Sequence, residues 1–213
     1  MKEYKVKVDN NGTRERYNTE GQCEDGPTVI RSNDTREWYR NGKLHREDGP
    51  AIEWSNGDKR WWLNGQLHRE DGPAIEMANG YKAWYRNGKR HREDGPAVEW
   101  SNGSKFWYSN DKLHREDGPA VEHTNGYKVW YLNGKRHRED GPAVETADGD
   151  KVWWLNSQLH REDGPAVEYT NGDKAWYING KELTQKQFNK RKFGKEITVA
   201  EIKLLGYRVK IVK

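Results

Sequence analysis

All seven prolines of this chain stand 23 residues apart, at Pro27, Pro50, Pro73, Pro96, Pro119, Pro142 and Pro165. Trp38, Trp61, Trp84, Trp107, Trp130, Trp153 and Trp176 keep the same period. The string His-Arg-Glu-Asp-Gly-Pro-Ala begins at His45, His68, His91, His114, His137 and His160, and Gln22 to Thr28 is an eroded copy. Self-similarity at a fixed period of this size means that one supersecondary unit is repeated, each copy burying its apolar side against the next.

The unit from Gly72 to Asp94 reads as strand, turn, strand, turn. Pro73-Ala74-Ile75-Glu76-Met77 carries proline first, where a strand tolerates the missing donor. Asn79-Gly80 is the dipeptide of a two-residue type I′ hairpin. Lys82-Ala83-Trp84-Tyr85-Arg86 is the aromatic-rich return strand. Asn87-Gly88 marks a second turn, and Lys89 to Gly95 leads to the next hairpin. A two-residue loop sets Ala78 against Tyr81, Met77 against Lys82, Glu76 against Ala83, Ile75 against Trp84 and Ala74 against Tyr85. That register predicts one face of Ile/Val–Trp pairs, the better buried, and another of Ala–Tyr pairs with Glu beside them. The expected fold is all-β: an elongated single-sheet solenoid of about seven hairpin repeats, two strands each, advancing about 10 Å per repeat.

Composition agrees with a thin core. Leu, Ile, Val and Phe together are 32 of 213 residues, too few for a large aliphatic interior. Eleven Trp, eleven Tyr and a net charge of only +4 argue against disorder. No apolar run is long enough for a membrane-spanning helix, and MKEYKVKVDNNG lacks the apolar core of a signal peptide. A lone Cys23 excludes an internal disulfide or a cysteine-based zinc site. A cytoplasmic location is expected, the host cytoplasm if the source is viral.

The ends depart from the period. Residues 1–21 read as a degenerate capping hairpin, with Tyr4 to Val8 followed by Asn11-Gly12. The repeats occupy 22–180. Residues 181–213 read as a small α+β cap: Thr184-x-x-Gln187 and Thr198-x-x-Glu201 fit helix-start capping boxes, and Tyr207 to Val212 alternates as a final strand.

The Trp-Tyr-x-Asn-Gly-Lys-x-His unit with Asp-Gly and Asn-Gly at a 23-residue period resembles divergent membrane occupation and recognition nexus (MORN) repeats, over roughly residues 13–180. The variant is similar to MORN-like repeats of uncharacterised phage, giant-virus and bacterial proteins. In that family the His is typically followed by Gly, whereas here Arg-Glu-Asp-Gly-Pro follows. The resemblance implies a hairpin solenoid acting as a scaffold through protein–protein contacts or self-association.

His-Arg-Glu-Asp suggests catalysis or metal binding if met once; met six times it reads as architecture. Equivalent histidines lie about two strands apart, near 10 Å, whereas zinc–nitrogen bonds are about 2.0–2.1 Å. Glu and Asp are expected to support the turn, with Arg pairing a neighbour's carboxylate. No catalytic residue, metal ligand or cofactor is assigned.

A binding surface should use positions that vary between repeats. On the first strand these are Trp54, Met77, Trp100, His123, Thr146 and Tyr169; on the second, Arg60, Ala83, Phe106, Val129, Val152 and Ala175. Arg90 and Arg136 replace the Leu that precedes His elsewhere. Trp54, Arg60, Arg86, Arg90, Trp100, Phe106 and Arg136 are therefore the expected partner-binding residues. The partner is another protein, with homodimerisation through a sheet edge or the cap as a further expectation. Residues 181–213 hold ten Lys/Arg against three Asp/Glu. Lys190, Arg191, Lys192 and Lys195 there are candidates for phosphate contact, which carries the alternative reading of nucleic-acid or nucleotide binding.

Overall fold

The computed structural model describes residues 5–17 and 26–193, in two compact units, Met1–Lys135 and Arg136–Lys213. Both are built from short antiparallel strands, and the helix Gln185–Phe193 is the one helix among the described residues. The all-β expectation holds.

Each repeat holds two hairpins, not one. In the repeat around Trp84, Ile75–Glu76 pairs with Lys82–Ala83, and Tyr85–Arg86 pairs with Lys89–Arg90. Within each unit the first kind of hairpin joins its neighbours into a continuous ladder. The second kind remains a set of two-stranded pairs, tied to one another within the first unit by bonds such as Arg69 N–H to Tyr85 O (3.2 Å) and Gly88 N–H to Leu67 O (2.9 Å). Trp84 stands where the chain leaves the ladder, its N–H donating to Ala97 O of the following repeat (2.8 Å) while its own carbonyl accepts from His91 N–H (3.2 Å).

The two Asn-Gly turns differ in geometry, and this corrects the expected register. At Asn87-Gly88 both residues are left-handed, φ 50° and 76°, as a two-residue type I′ turn demands. At Asn79-Gly80 only the glycine is left-handed, φ 91°. Gly80 N–H donates to Met77 O and Met77 N–H to Tyr81 O, both at 2.9 Å, so the loop is Ala78-Asn79-Gly80, a three-residue turn ending in a glycine bulge. Glu76 therefore faces Lys82 and Ile75 faces Ala83. A one-residue slip exchanges the faces of a strand. Ile75, Met77, Tyr81, Ala83 and Tyr85 share one face, and Trp84 turns to the other with Glu76.

In the first unit one row of side chains crosses the ladder: Val29, Glu37, Ile52, Arg60, Ile75, Ala83, Val98, Phe106, Val121 and Val129. The second unit has its own row of Val144, Val152, Val167 and Ala175. Beside these rows the alanine after each proline, from Ala51 to Ala166, has no exposed surface. Ala83 and Val129 are buried, so two of the six variable second-strand positions serve the core and offer no surface to a partner.

The tryptophans are covered by arginines. Arg46, Arg69, Arg92 and Arg115 lie 4.0–4.1 Å over Trp38, Trp61, Trp84 and Trp107, and in the second unit Arg161 lies 3.8 Å over Trp153. Each such arginine bonds the Asp two residues on and the Glu seven on, as Arg69 does with Asp71 (3.1 Å) and Glu76 (2.8 Å). With the unit taken from Gly72 to Asp94, the Asp belongs to the arginine's own repeat and the Glu to the next one, as Arg92 shows with Asp94 and Glu99, so the expected pairing with a neighbour's carboxylate is present. The histidines also join repeats: Asn87 N–H donates to His68 Nδ1 at 3.1 Å, as Asn64 does to His45 at 3.1 Å. In the buried His45 copy Nδ1 also lies 2.9 Å from Asn64 Oδ1, and Nε2 faces Glu47 Oε1 at 3.2 Å.

At the start of the chain, Lys5–Val8 pairs with Arg14–Tyr17 as expected. At the other end, Gln187 N–H donates to Thr184 Oγ1 and Thr184 N–H to Gln187 Oε1 (3.2 and 2.8 Å), which is the capping box read from the sequence. Tyr4, most of the eroded motif at 22–28, Lys195, the Thr198 box and the strand at Tyr207 lie outside the described residues. Among the described residues no helix is long and apolar enough to cross a membrane.

Candidate interaction face

The ladder face that carries Ile75 and Ala83 also carries most of the side chains that differ between repeats. In the first unit Trp100 is half exposed and sets its ring edge-on to Tyr81, with centroids 5.0 Å apart. Arg60 lies 4.9 Å from the Trp54 ring. Phe106 meets His123 edge-on at 5.3 Å, and His123 continues to Tyr127 at 5.5 Å. Arg90 lies 4.0 Å over Tyr108 and donates from Nε to Asp111 Oδ1 at 2.8 Å.

Of the seven expected partner-binding residues, Trp54, Arg60, Arg90, Trp100 and Phe106 share this face. Phe106 belongs partly to the core, packed against the buried cluster of Ile75, Ala83 and Val98. Arg86 sits on the opposite face, where its Nη1 donates to Glu93 Oε1 at 3.1 Å. There it lines a groove of about 520 Å³ with Glu70, Asp71, Trp84, Arg92 and Glu93. Arg136 lies in the second unit, 5.2 Å from the Trp154 ring. Lys190 and Arg191 are exposed on the helix Gln185–Phe193, and Lys192 falls within that helix.

The residues that periodicity alone did not single out are tyrosines. Tyr81, Tyr85 and Tyr108 cluster with Arg60 and Arg90 closely enough that their charges influence one another. Burial raises the Tyr81 and Tyr85 hydroxyls above their ordinary value of 10.0, and the two arginines act in the opposite sense. Arg90 is held by Asp111, which occupies the second turn position with a left-handed φ of 64° where most repeats have glycine. The second unit repeats the device: Arg136 N–H donates to Ser157 Oγ, and Ser157 is left-handed at 65°. A non-glycine residue after Asn, 21 positions beyond an unusual Arg, was the available sequence signal for these contacts.

The row also contains Glu37, buried among apolar neighbours. Its carboxylate accepts from Arg31 Nη2 at 2.9 Å and from the Tyr39 hydroxyl at 3.0 Å. Among the described residues no three His, Cys, Asp or Glu side chains converge to hold a metal ion.

No protein-family model matches the chain, and no curated protein matches it. Among solved structures, the G-box domain of the microcephaly protein CPAP, for which a role in centriole elongation is suggested, is similar at 17% identity. The alignment covers 86% of this chain and 98% of that one, with a TM-score of 0.21. A likeness at that level carries no argument about function.

Proposed function

We propose that this chain is a non-enzymatic repeat scaffold that holds another protein against the aromatic and arginine-bearing face of its first unit. The observation that supports the reading is the gathering of Trp54, Arg60, Trp100 and Arg90 on one face of a regular frame. Repeats whose other positions are nearly identical differ there. Aromatic and arginine side chains are the types that most often dominate binding energy at protein interfaces. The 23-residue unit is read as a MORN-like repeat. Its resemblance to phage proteins suggests an adaptor or inhibitor directed at a host protein in the host cytoplasm.

The test is capture from host lysate at low and high salt with three baits: wild type, a Trp54→Ala/Trp100→Ala variant, and an Arg86→Ala variant of the opposite face. A stoichiometric protein that survives high salt, is lost with the double variant and is retained by Arg86→Ala is the expected result. Equal capture by all three baits would remove this face from the proposal.

A second reading, nucleic-acid binding, is favoured by exposed Lys186, Lys190 and Arg191 on a helix that has no acidic residue in its first turn. It predicts nucleic acid in the low-salt eluate that high salt removes, because phosphate contacts release counterions.

A further inference from the structure

We propose that Arg60 receives a carboxylate from an acidic segment of the partner protein, with Trp54, Tyr81 and Tyr85 closing around it. The proposal rests on the scaffold reading above and adds the chemistry of what binds.

The argument begins with how the crossing row treats charge. It is an apolar row of Val, Ile, Ala and Phe, interrupted in the first unit by two charged residues. A charge withdrawn from water needs a partner of opposite sign, or it is costly. Glu37 has such partners in Arg31 and Tyr39. Arg60, half-buried between Ile52 and Ile75, forms no ion pair or hydrogen bond from its guanidinium with any described residue. The half-buried arginines around it all hold a carboxylate: Arg46, Arg69, Arg92 and Arg115 within their motifs, and Arg90 through Asp111.

The surroundings add donors and apolar walls. The Trp54 ring lies 4.9 Å from the guanidinium. Tyr81 and Tyr85 pack against the buried cluster of Ile75, the cross-strand partner of Arg60, and their hydroxyls make no hydrogen bond with any described residue. The patch therefore offers a planar cationic fork, two uncommitted phenol donors and an aromatic wall. A fork of this kind matches a carboxylate with two parallel N–H···O bonds. Among the described residues of this patch only Arg60 is an uncompensated cation, because Arg90 is held by Asp111 at 2.8 Å. One unspent positive charge suits the single charge of Asp or Glu better than a phosphate dianion. Repeats without a cation at this position hold Ala83, Phe106 or Val129, so the arginine is not required by the fold.

The test uses the full chain and a displayed library of random peptides. Enriched peptides are synthesised singly and titrated by fluorescence anisotropy against wild type, Arg60→Val, Arg60→Lys and Trp100→Ala. The expected binders share one Asp or Glu. Their affinity falls about tenfold or more with Arg60→Val, and equally when the acid is replaced by its amide on unaltered protein. Arg60→Lys restores only part, since an ammonium lacks the fork. Acidic peptides that bind Arg60→Val as tightly as wild type would overturn the proposal, as would a tenfold gain on replacing Asp by phosphoserine. Binders that lack an acid and are lost with Trp100→Ala would overturn it while leaving the scaffold standing. A library that yields no binder would remove both.

Discussion

Arg92 lies with its guanidinium 4.1 Å over the ring of Trp84, and its other side closes on Gly95, where a Cβ would sit 2.9 Å from the guanidinium carbon. The glycine in each of the six intact His-Arg-Glu-Asp-Gly-Pro copies is thus explained by space, since none of the six has a left-handed φ. The same approach, 2.8–3.0 Å, recurs at Gly49, Gly72, Gly118, Gly141 and Gly164. Ring, guanidinium and glycine form a three-layer sandwich, and Asp94 and Glu99 hold the middle layer in place.

Gly95→Ala should therefore cost about 1–3 kcal/mol, the range for overfilling a packed site. In an Arg92→Ala background the same change should cost almost nothing, because the atom it strikes is gone. Urea unfolding of the four proteins of this cycle measures the difference. Equal costs in both backgrounds would mean that the sandwich is not what requires glycine.

The sandwich also sets an acid limit. Asp71, Asp94, Asp117 and Asp140 are held below their ordinary value of 3.8, first by the hydrogen bond from the Arg two residues earlier and further by its charge. A group depressed in the folded state contributes stability that is present above its unfolded pKa and lost as pH falls through the folded one. These aspartates should leave thermal stability level from neutral pH down to about 5, then lower it below about 4. Changing all four to Asn should flatten the acid limb of a melting-temperature profile; an unchanged limb would place the acid sensitivity elsewhere.

The two Asn-Gly turns should respond differently to the same substitution. Asn87→Ala must place alanine at a φ of 50° and should cost about 1–2 kcal/mol. Asn79→Ala keeps an ordinary backbone and loses only the bond from Tyr81 N–H to Asn79 Oδ1, worth about 0.5–1.5 kcal/mol. Matched denaturation midpoints would contradict the assignment of two turn types.

Arg60→Val should leave stability unchanged or raise it by about 1 kcal/mol, because an unpaired half-buried charge is exchanged for an apolar side chain. Val98→Arg adds a charge to the same row at a site 5% exposed and should cost about 3 kcal/mol or more. Calorimetry on both variants checks the pair. A loss of stability with Arg60→Val would show that the arginine is structural.

Much of this protein is legible in its sequence. The 23-residue period fixes the unit, Asn-Gly marks both turns, and Thr184 with Gln187 marks a helix start, because these signals depend on residues close together in the chain. What escaped was the register and everything that follows from it. Asn-Gly suits a two-residue turn and a three-residue turn with a glycine bulge alike, and the choice moves every side chain on the strand to the other face.

That choice is made by contacts between repeats. Ala78 N–H, inside the three-residue loop, donates to Asp58 Oδ1 of the preceding repeat at 2.8 Å, and Trp84 N–H donates to Ala97 O of the following one. The same order of causes put Phe106 into the core, sent Arg86 to the opposite face and left Arg60 without a carboxylate. The sequence by itself determined that the chain must repeat a hairpin unit and where its turns fall. Only the tertiary structure decided which face each side chain occupies, because a sheet's register is settled by hydrogen bonds to neighbouring strands, and those neighbours are supplied by other repeats.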